Sequence, residues 1–198
     1  GTRPLPTGSG RGILMGGMEY PAPYKKTIDY VSIPTTGNAG DFGDLTQTMA
    51  RGCSASSLTR GFCAGGDTPS EVDSIESVEL QSLGNSADFG NLAAATTNMF
   101  SGVASSPTRG LFSGGQSGDP ATNLDVIQYI TMATAGNTSD FGDMSAGKYH
   151  GSQCCSSTRG VFGGGTTGSL VNVIEYVTIA STGDETDFGD LTDAKSYL

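Results

Sequence analysis

The chain has 198 residues, a formal net charge of −10 and 31 glycines, yet only 15% of its residues are charged. That length can bury a real core, while the acidic balance, with a pI near 4.3, repels phosphate backbones and anionic lipid, so neither nucleic acid nor membrane is an expected partner. No apolar run approaches the roughly 18 residues of a membrane helix, no charged-then-apolar signal segment opens the sequence, and a start at Gly1 fits a processed or excised chain.

The glycines recur at fixed places, which marks turns and tight packing and not a flexible linker. The first anchor is Arg11-Gly12-Ile13-Leu14-Met15-Gly16-Gly17, a strand-length run closed by a double glycine. It returns as Arg60-Gly61-Phe62-Cys63-Ala64-Gly65-Gly66, as Arg109-Gly110-Leu111-Phe112-Ser113-Gly114-Gly115 and as Arg159-Gly160-Val161-Phe162-Gly163-Gly164-Gly165, at spacings of 49, 49 and 50 residues. After each anchor comes a β-branched run: Ile28 to Ile33, Ile75 to Leu80, Ile127 to Met132 and Ile174 to Ile179. A turn follows at Gly37-Asn38, Gly84-Asn85, Gly136-Asn137 and Gly183-Asp184, then the quartet Asp-Phe-Gly-Asp/Asn at 41–44, 88–91, 140–143 and 187–190. A short small-residue stretch such as Ala55-Ser56-Ser57 leads into the next Arg-Gly.

Each unit therefore holds four short extended segments and no helical periodicity. In the β-branched run both alternating faces are apolar (Ile28 and Tyr30 on one, Val31 and Ile33 on the other), as in a sheet buried on both sides. The expectation is an all-β fold in one domain over residues 1–198: a β-propeller of four blades, each of four antiparallel strands. The quartets lie 16, 18 and 16 residues before the next Arg, and the two chain ends together supply 19, so the ring is expected to close by pairing of the N- and C-terminal segments. The rival is a larger ring or a continuous array of which this chain is one segment.

The double glycine, the period and the four-strand unit resemble kelch repeats of galactose-oxidase-like propellers, although the chain has no Trp and lacks their tyrosine–tryptophan pair. The runs Thr158 to Gly165, Asn172 to Gly183 and Asp187-Phe188-Gly189-Asp190-Leu191 look closer to kelch-like repeats in virion structural and tail-fibre proteins of tailed phages of marine cyanobacteria. The resemblance covers essentially the whole chain. It implies a virion component, extracellular, contacting other virion proteins, copies of itself or host-surface polysaccharide, and it carries over no binding residues.

The chemistry read from the residues points to binding. The quartet recurs four times and lacks the catalytic and phosphate loops of a kinase, and its acids match no full set of calcium ligands. Phe42, Phe89, Phe141 and Phe188 are expected to fill the core while the acids cap turns. Arg11, Arg60, Arg109 and Arg159 equal the quartets in number and are expected to pair with their acids between blades. His150 is the only histidine, and no nucleophilic triad or Cys–His set is present by motif. No catalytic, metal or cofactor-binding residue is assigned, and no cofactor is expected. Cys53, Cys63, Cys154 and Cys155 do not recur between copies and read as plain buried thiols. Repeat symmetry breaks in an expanded loop with Tyr20, Pro21, Ala22, Pro23, Tyr24 and Lys25, and at Tyr149, His150 and Tyr197. On a closed ring these loops share a face, so Tyr20, Tyr24, Tyr149, His150 and Tyr197 form a candidate ligand rim whose aromatics can stack on sugar. The expected function is a non-enzymatic phage virion protein. A lectin-like or kelch-type cellular scaffold is the alternative, and a polysaccharide-cleaving enzyme, which needs two carboxylates, comes last.

Overall fold

The computed structural model describes residues 10–19 and 23–198, and among these every regular element is a β-strand. The first sheet is β1 (Arg11–Met15), β2 (Thr27–Ser32) and β3 (Gly40–Asp44), all antiparallel. The second is β4 (Cys53–Ser56), β5 (Arg60–Ala64), β6 (Ser74–Glu79) and β7 (Ala87–Asn91), in sequence order. Two short strands follow, β8 (Ser101–Gly102) and β9 (Ala104–Ser105), then β10 (Arg109–Ser113), the ribbon β11 (Gln116–Ser117) and β12 (Thr122–Asn123), β13 (Val126–Thr131) and β14 (Ser139–Asp143). The third sheet runs β9-β10-β13-β14. The fourth is β15 (Ser152–Cys155), β16 (Arg159–Gly163), β17 (Val173–Thr178) and β18 (Thr186–Asp190), with β8 added in parallel to β15.

The four-segment unit is thus present in full in the last three sheets. In the first, the described strands are the Arg-Gly strand, the β-branched strand and the quartet strand. The terminal pairing expected to complete it falls partly on residues 1–9, outside the described residues, and the C-terminal stretch after Asp190 contains no strand.

The quartet forms the last strand of each unit, as the four-segment reading expected. Its glycine (Gly43 φ 149°, Gly90 φ 152°, Gly142 φ 148°) takes a conformation that side chains rarely adopt. The pairing register slips there, opposite Ile28/Asp29, Ile75/Glu76 and Ile127/Gln128. A bulge of this kind twists the outer strand and turns the preceding Phe inward. It also brings the glycine against the next sheet: a Cβ on Gly43 would run into the Gly84 backbone, one on Gly90 into Gly136, and one on Gly142 into Gly183.

Three successive sheet-to-sheet interfaces follow, each with its own apolar cluster. Phe42 packs with Ile28, Leu45, Cys63 and Leu80 between the first and second sheets. Phe89 packs with Phe62, Phe112, Ile130 and Met132 between the second and third, and Phe141 with Phe100, Ile127, Phe162 and Ile179 between the third and fourth. A fully buried Phe contributes roughly 1.5–3 kcal/mol, so one aromatic per repeat makes each interface a stabilising unit between neighbours.

Three expectations are corrected. Phe188, expected in the core, is 54% exposed, because among the described residues nothing covers that face of the fourth sheet. The repeat arginines do cross between sheets, but to main chain: Arg11, Arg60 and Arg109 donate to the carbonyls of Leu80, Met132 and Ile179. Arg60 pairs with Glu79 of its own sheet, and Arg11, Arg109 and Arg159 lie over Tyr30, Tyr129 and Tyr176. Arg11, Arg60 and Arg109 each sit beside the end of the next sheet's β-branched strand, so what each reaches across the interface is the carbonyl just past that strand and not a quartet acid. Finally, Cys53 and Cys63 are buried, whereas Cys154 and Cys155 are exposed.

Candidate functional site

The stretch that follows each quartet strand passes one residue with left-handed backbone: Arg51 (φ 60°), Asn98 (φ 54°), His150 (φ 55°) and Tyr197 (φ 58°). Each stands seven residues after the last member of its quartet. A left-handed non-glycine residue costs about 1–2 kcal/mol, and the fold holds it by linking the tips to one another. His150 N donates to the Asn98 carbonyl at 3.1 Å, and Tyr197 N donates to the His150 carbonyl at 2.7 Å.

These tips surround an open pocket of about 670 Å³, with Met18, Arg51, Asn98, Ser101, His150 and Tyr197 on its wall. The His150 ring stacks on Tyr197 with centroids 4.0 Å apart and planes at 28°, and the Tyr149 ring lies tilted at 59° to His150 with centroids 4.8 Å apart. Arg51 is held by Asp67, Nη1 to Oδ2 at 3.3 Å, and the Tyr24 hydroxyl donates to the same oxygen at 2.9 Å. Asn98 Nδ2 donates to Gln116 Oε1 at 3.0 Å, which orients that amide. Ser101 Oγ donates to the Leu198 carbonyl at 2.6 Å and ties the C-terminus to the wall.

The electrostatics follow from this packing. Partial burial, then the nearby Arg51 cation, holds the His150 imidazole below its ordinary pKa. The hydrogen bond to Asp67 is the main reason the Tyr24 phenol is held above its own. Among the described residues three buried side-chain atoms make no hydrogen bond: His150 Nδ1, Asp67 Oδ1 and Thr97 Oγ1. All three belong to the pocket wall or the residues just behind it, so polar capacity is concentrated here. No group of three His, Cys, Asp or Glu residues able to hold a metal ion occurs among the described residues.

The structure brings together four of the five rim residues. Tyr149, His150 and Tyr197 form one aromatic cluster, and Tyr24 joins them through Asp67 and Arg51. Tyr20 lies outside the described residues. Arg51 and Asn98 were missed by the sequence reading, which followed aromatics. Counting seven residues on from each quartet finds them at once. A comparison with models of known protein families and with curated proteins found no match.

Proposed function

We propose that this chain is a non-enzymatic virion structural protein, a tail, fibre or capsid-surface component, that contacts host-surface glycan through this pocket. One observation carries the binding half of the reading. The same backbone position holds Arg51, Asn98, His150 and Tyr197, four different side chains on one repeated conformation around one pocket. The quartet Phe stays the same from copy to copy and most other core positions exchange one apolar side chain for another, whereas the mouth position changes its chemistry in every copy. A uniform scaffold with a varied concave mouth is the arrangement of a binding module. An aromatic stack, a cation and an amide are the groups that recognise the face and hydroxyls of a sugar. The described pocket wall includes no Asp or Glu side chain, and glycosidic cleavage needs a pair of them, which favours binding over catalysis.

The virion assignment rests on the kelch-like resemblance of the repeat. With it goes the reading of the four sheets as propeller blades, supported by three interfaces built from the same contacts and by inner strands that meet. Ser54 of β4 is bridged in parallel to Val103, which lies between β8 and β9, and Gln153 of β15 reaches Cys53 of β4. A ring of four requires a fourth interface of the same kind.

Binding is tested on a panel of immobilised polysaccharides and oligosaccharides with the intact chain, Arg51→Ala and Tyr197→Ala. A hit on wild type that both variants lose supports the pocket. A hit that both retain, or no hit on any glycan, refutes it. Immunogold labelling of virus particles and cells from the source tests location separately: gold at a fixed place on particles supports the virion assignment, and gold on cell envelopes alone removes it.

A further inference from the structure

Each of the three internal interfaces has a back face, from the earlier sheet, and a front face, from the later one. The fourth sheet carries a back face and the first sheet a front face, and the residues that distinguish the two ends are chemically unchanged from their buried counterparts. At the back, Phe188 is 54% exposed, while its counterparts Phe42, Phe89 and Phe141 are 3%, 4% and 2% exposed. Cys154 is exposed where Ala55 and Ala104 are buried. At the front, Ile33 is 71% exposed where Leu80, Met132 and Ile179 are 9%, 3% and 0% exposed, and Leu14 is open where Cys63, Phe112 and Phe162 are buried.

The polar half of the interface is also present at both ends. Internally, Gly84, Gly136 and Gly183 N–H donate to the carbonyls of Phe42, Phe89 and Phe141. Asn85, Asn137 and Asp184 accept from the N–H of Asp44, Asn91 and Asp143 at 3.0–3.1 Å. Gly37 and Asn38 hold these positions on the front face, and Phe188 and Asp190 hold the complementary ones on the back. A Cβ on Gly189 meets nothing within 4 Å among the described residues, so the slot that receives the next sheet's turn is open. Charge matches as well. Lys148 and Glu175 form a buried pair across the third interface. Their repeat equivalents are Lys195 on the back face and Asp29 on the front.

We propose that these two faces dock on each other between chains: the front face of one copy seats on the back face of a second, repeating the internal interface head to tail. Phe188 then fills the cluster under Ile33 and Leu14, Asn38 accepts from Asp190 N–H, Lys195 meets Asp29, and Gly12 packs on Cys154 as Gly110 and Gly160 pack on Ala55 and Ala104. Such a contact is heterologous, so it ends in a closed ring or a filament according to the rotation per copy. The inference extends the propeller reading to its partner, a second copy of this chain, and does not depend on glycan binding.

The test is mass by light scattering and sedimentation, in reducing buffer at an ionic strength of about 0.15 M, where the acidic charge is screened beyond about 8 Å. Wild type is expected to show at least twice the monomer mass of 20.1 kDa. Phe188→Asp loses only the back face and Ile33→Asp only the front, so each alone is expected to be monomeric. Mixed, they are expected to form one-to-one dimers that grow no further, because each retains the half the other lacks. Both positions are exposed in the single chain, and unchanged circular dichroism and melting confirm that the variants fold. In a Cys155→Ser background, maleimide labelling of Cys154 is expected to slow as wild type associates. A monomeric wild type overturns the proposal: with Cys154 protected the ring closes within one chain, and with Cys154 reactive both faces stay free. Association that survives both aspartates also overturns it, since another surface is then responsible. No ligand is in the sample, and Arg51→Ala is expected to leave the mass unchanged, so failure here is separable from failure of the pocket.

Discussion

Lys148→Met is the perturbation with the largest worked consequence. Lys148 Nζ lies 2.6 Å from Glu175 Oε2, with the two side chains 3% and 2% exposed, and Ser145 N–H and O–H complete the carboxylate's shell. At an effective dielectric near 20 the attraction at that distance is about 6 kcal/mol. Desolvating each ion costs several kcal/mol, so the intact pair is close to neutral in net stability. Removing the lysine leaves Glu175 buried with two neutral donors and, nearby, Glu185, whose carboxyl is raised by burial and by Glu175 itself. The expected loss is about 3–5 kcal/mol, a fall in melting temperature of about 6–20 °C for a chain of this size.

The second interface supplies the control. There Thr96 and Gln128 occupy the positions of Lys148 and Glu175, and Gln128 Oε1 accepts from Ala93 N at 2.8 Å and Thr138 Oγ1 at 2.7 Å. Lys148→Thr with Glu175→Gln should therefore recover most of the loss, ending within about 1 kcal/mol of wild type. Urea unfolding followed by circular dichroism, with thermal melts alongside, measures both. The reasoning fails if the single variant lies within about 0.5 kcal/mol of wild type, or if the double is no better than the single.

Two further outcomes follow from the titratable groups. The folded His150 has its pKa below the unfolded value of about 6.5, so the unfolded chain binds more protons, and stability should fall as pH drops through that value and level off below the folded pKa. His150→Phe should remove this component of the pH dependence in thermal melts while keeping the stack on Tyr197, and an unchanged pH profile would mean that His150 is not its source. Burial pushes the Cys53 and Cys63 thiols up to about 12, so in the folded monomeric Phe188→Asp variant Cys154 and Cys155 alone should react with a thiol reagent, Cys53 and Cys63 following only on unfolding. Four fast thiols would contradict the packing of β4 and β5.

Strand positions were legible because both faces of the β-branched runs are apolar and glycine punctuates the units. The runs expected from Ile28, Ile75, Ile127 and Ile174 differ from β2, β6, β13 and β17 by one residue. The quartet was legible as the last of the four extended segments, but its bulge was not, since a glycine-centred bulge has turn composition and strand geometry at once. The arginine partners were not legible at all. A guanidinium that donates to a carbonyl leaves no trace in the identity of its acceptor, whereas the equal number of arginines and quartets invited a pairing whose place these carbonyls take. The rim was found through its aromatics and half-missed through the same filter, because Arg51 and Asn98 belong to it by repeat position and not by residue type.

Repeat position also separates what each side chain answers to. Where a residue faces another sheet, its chemistry is held to what the neighbouring copy can accept: aromatic at the quartet, glycine where backbones meet, an amide or carboxylate over the turn donors. The left-handed tip faces only the pocket, and there cation, amide, imidazole and phenol replace one another without disturbing the strands. Phe188, Ile33, Leu14 and Asn38 are exposed, yet they keep the chemistry of the facing positions and not that of the tip. An exposed surface with no partner would have no reason to hold an aromatic at the quartet and an amide at the turn. Their composition is that of an interface, and it is the strongest argument on the molecule that something built like this repeat covers them.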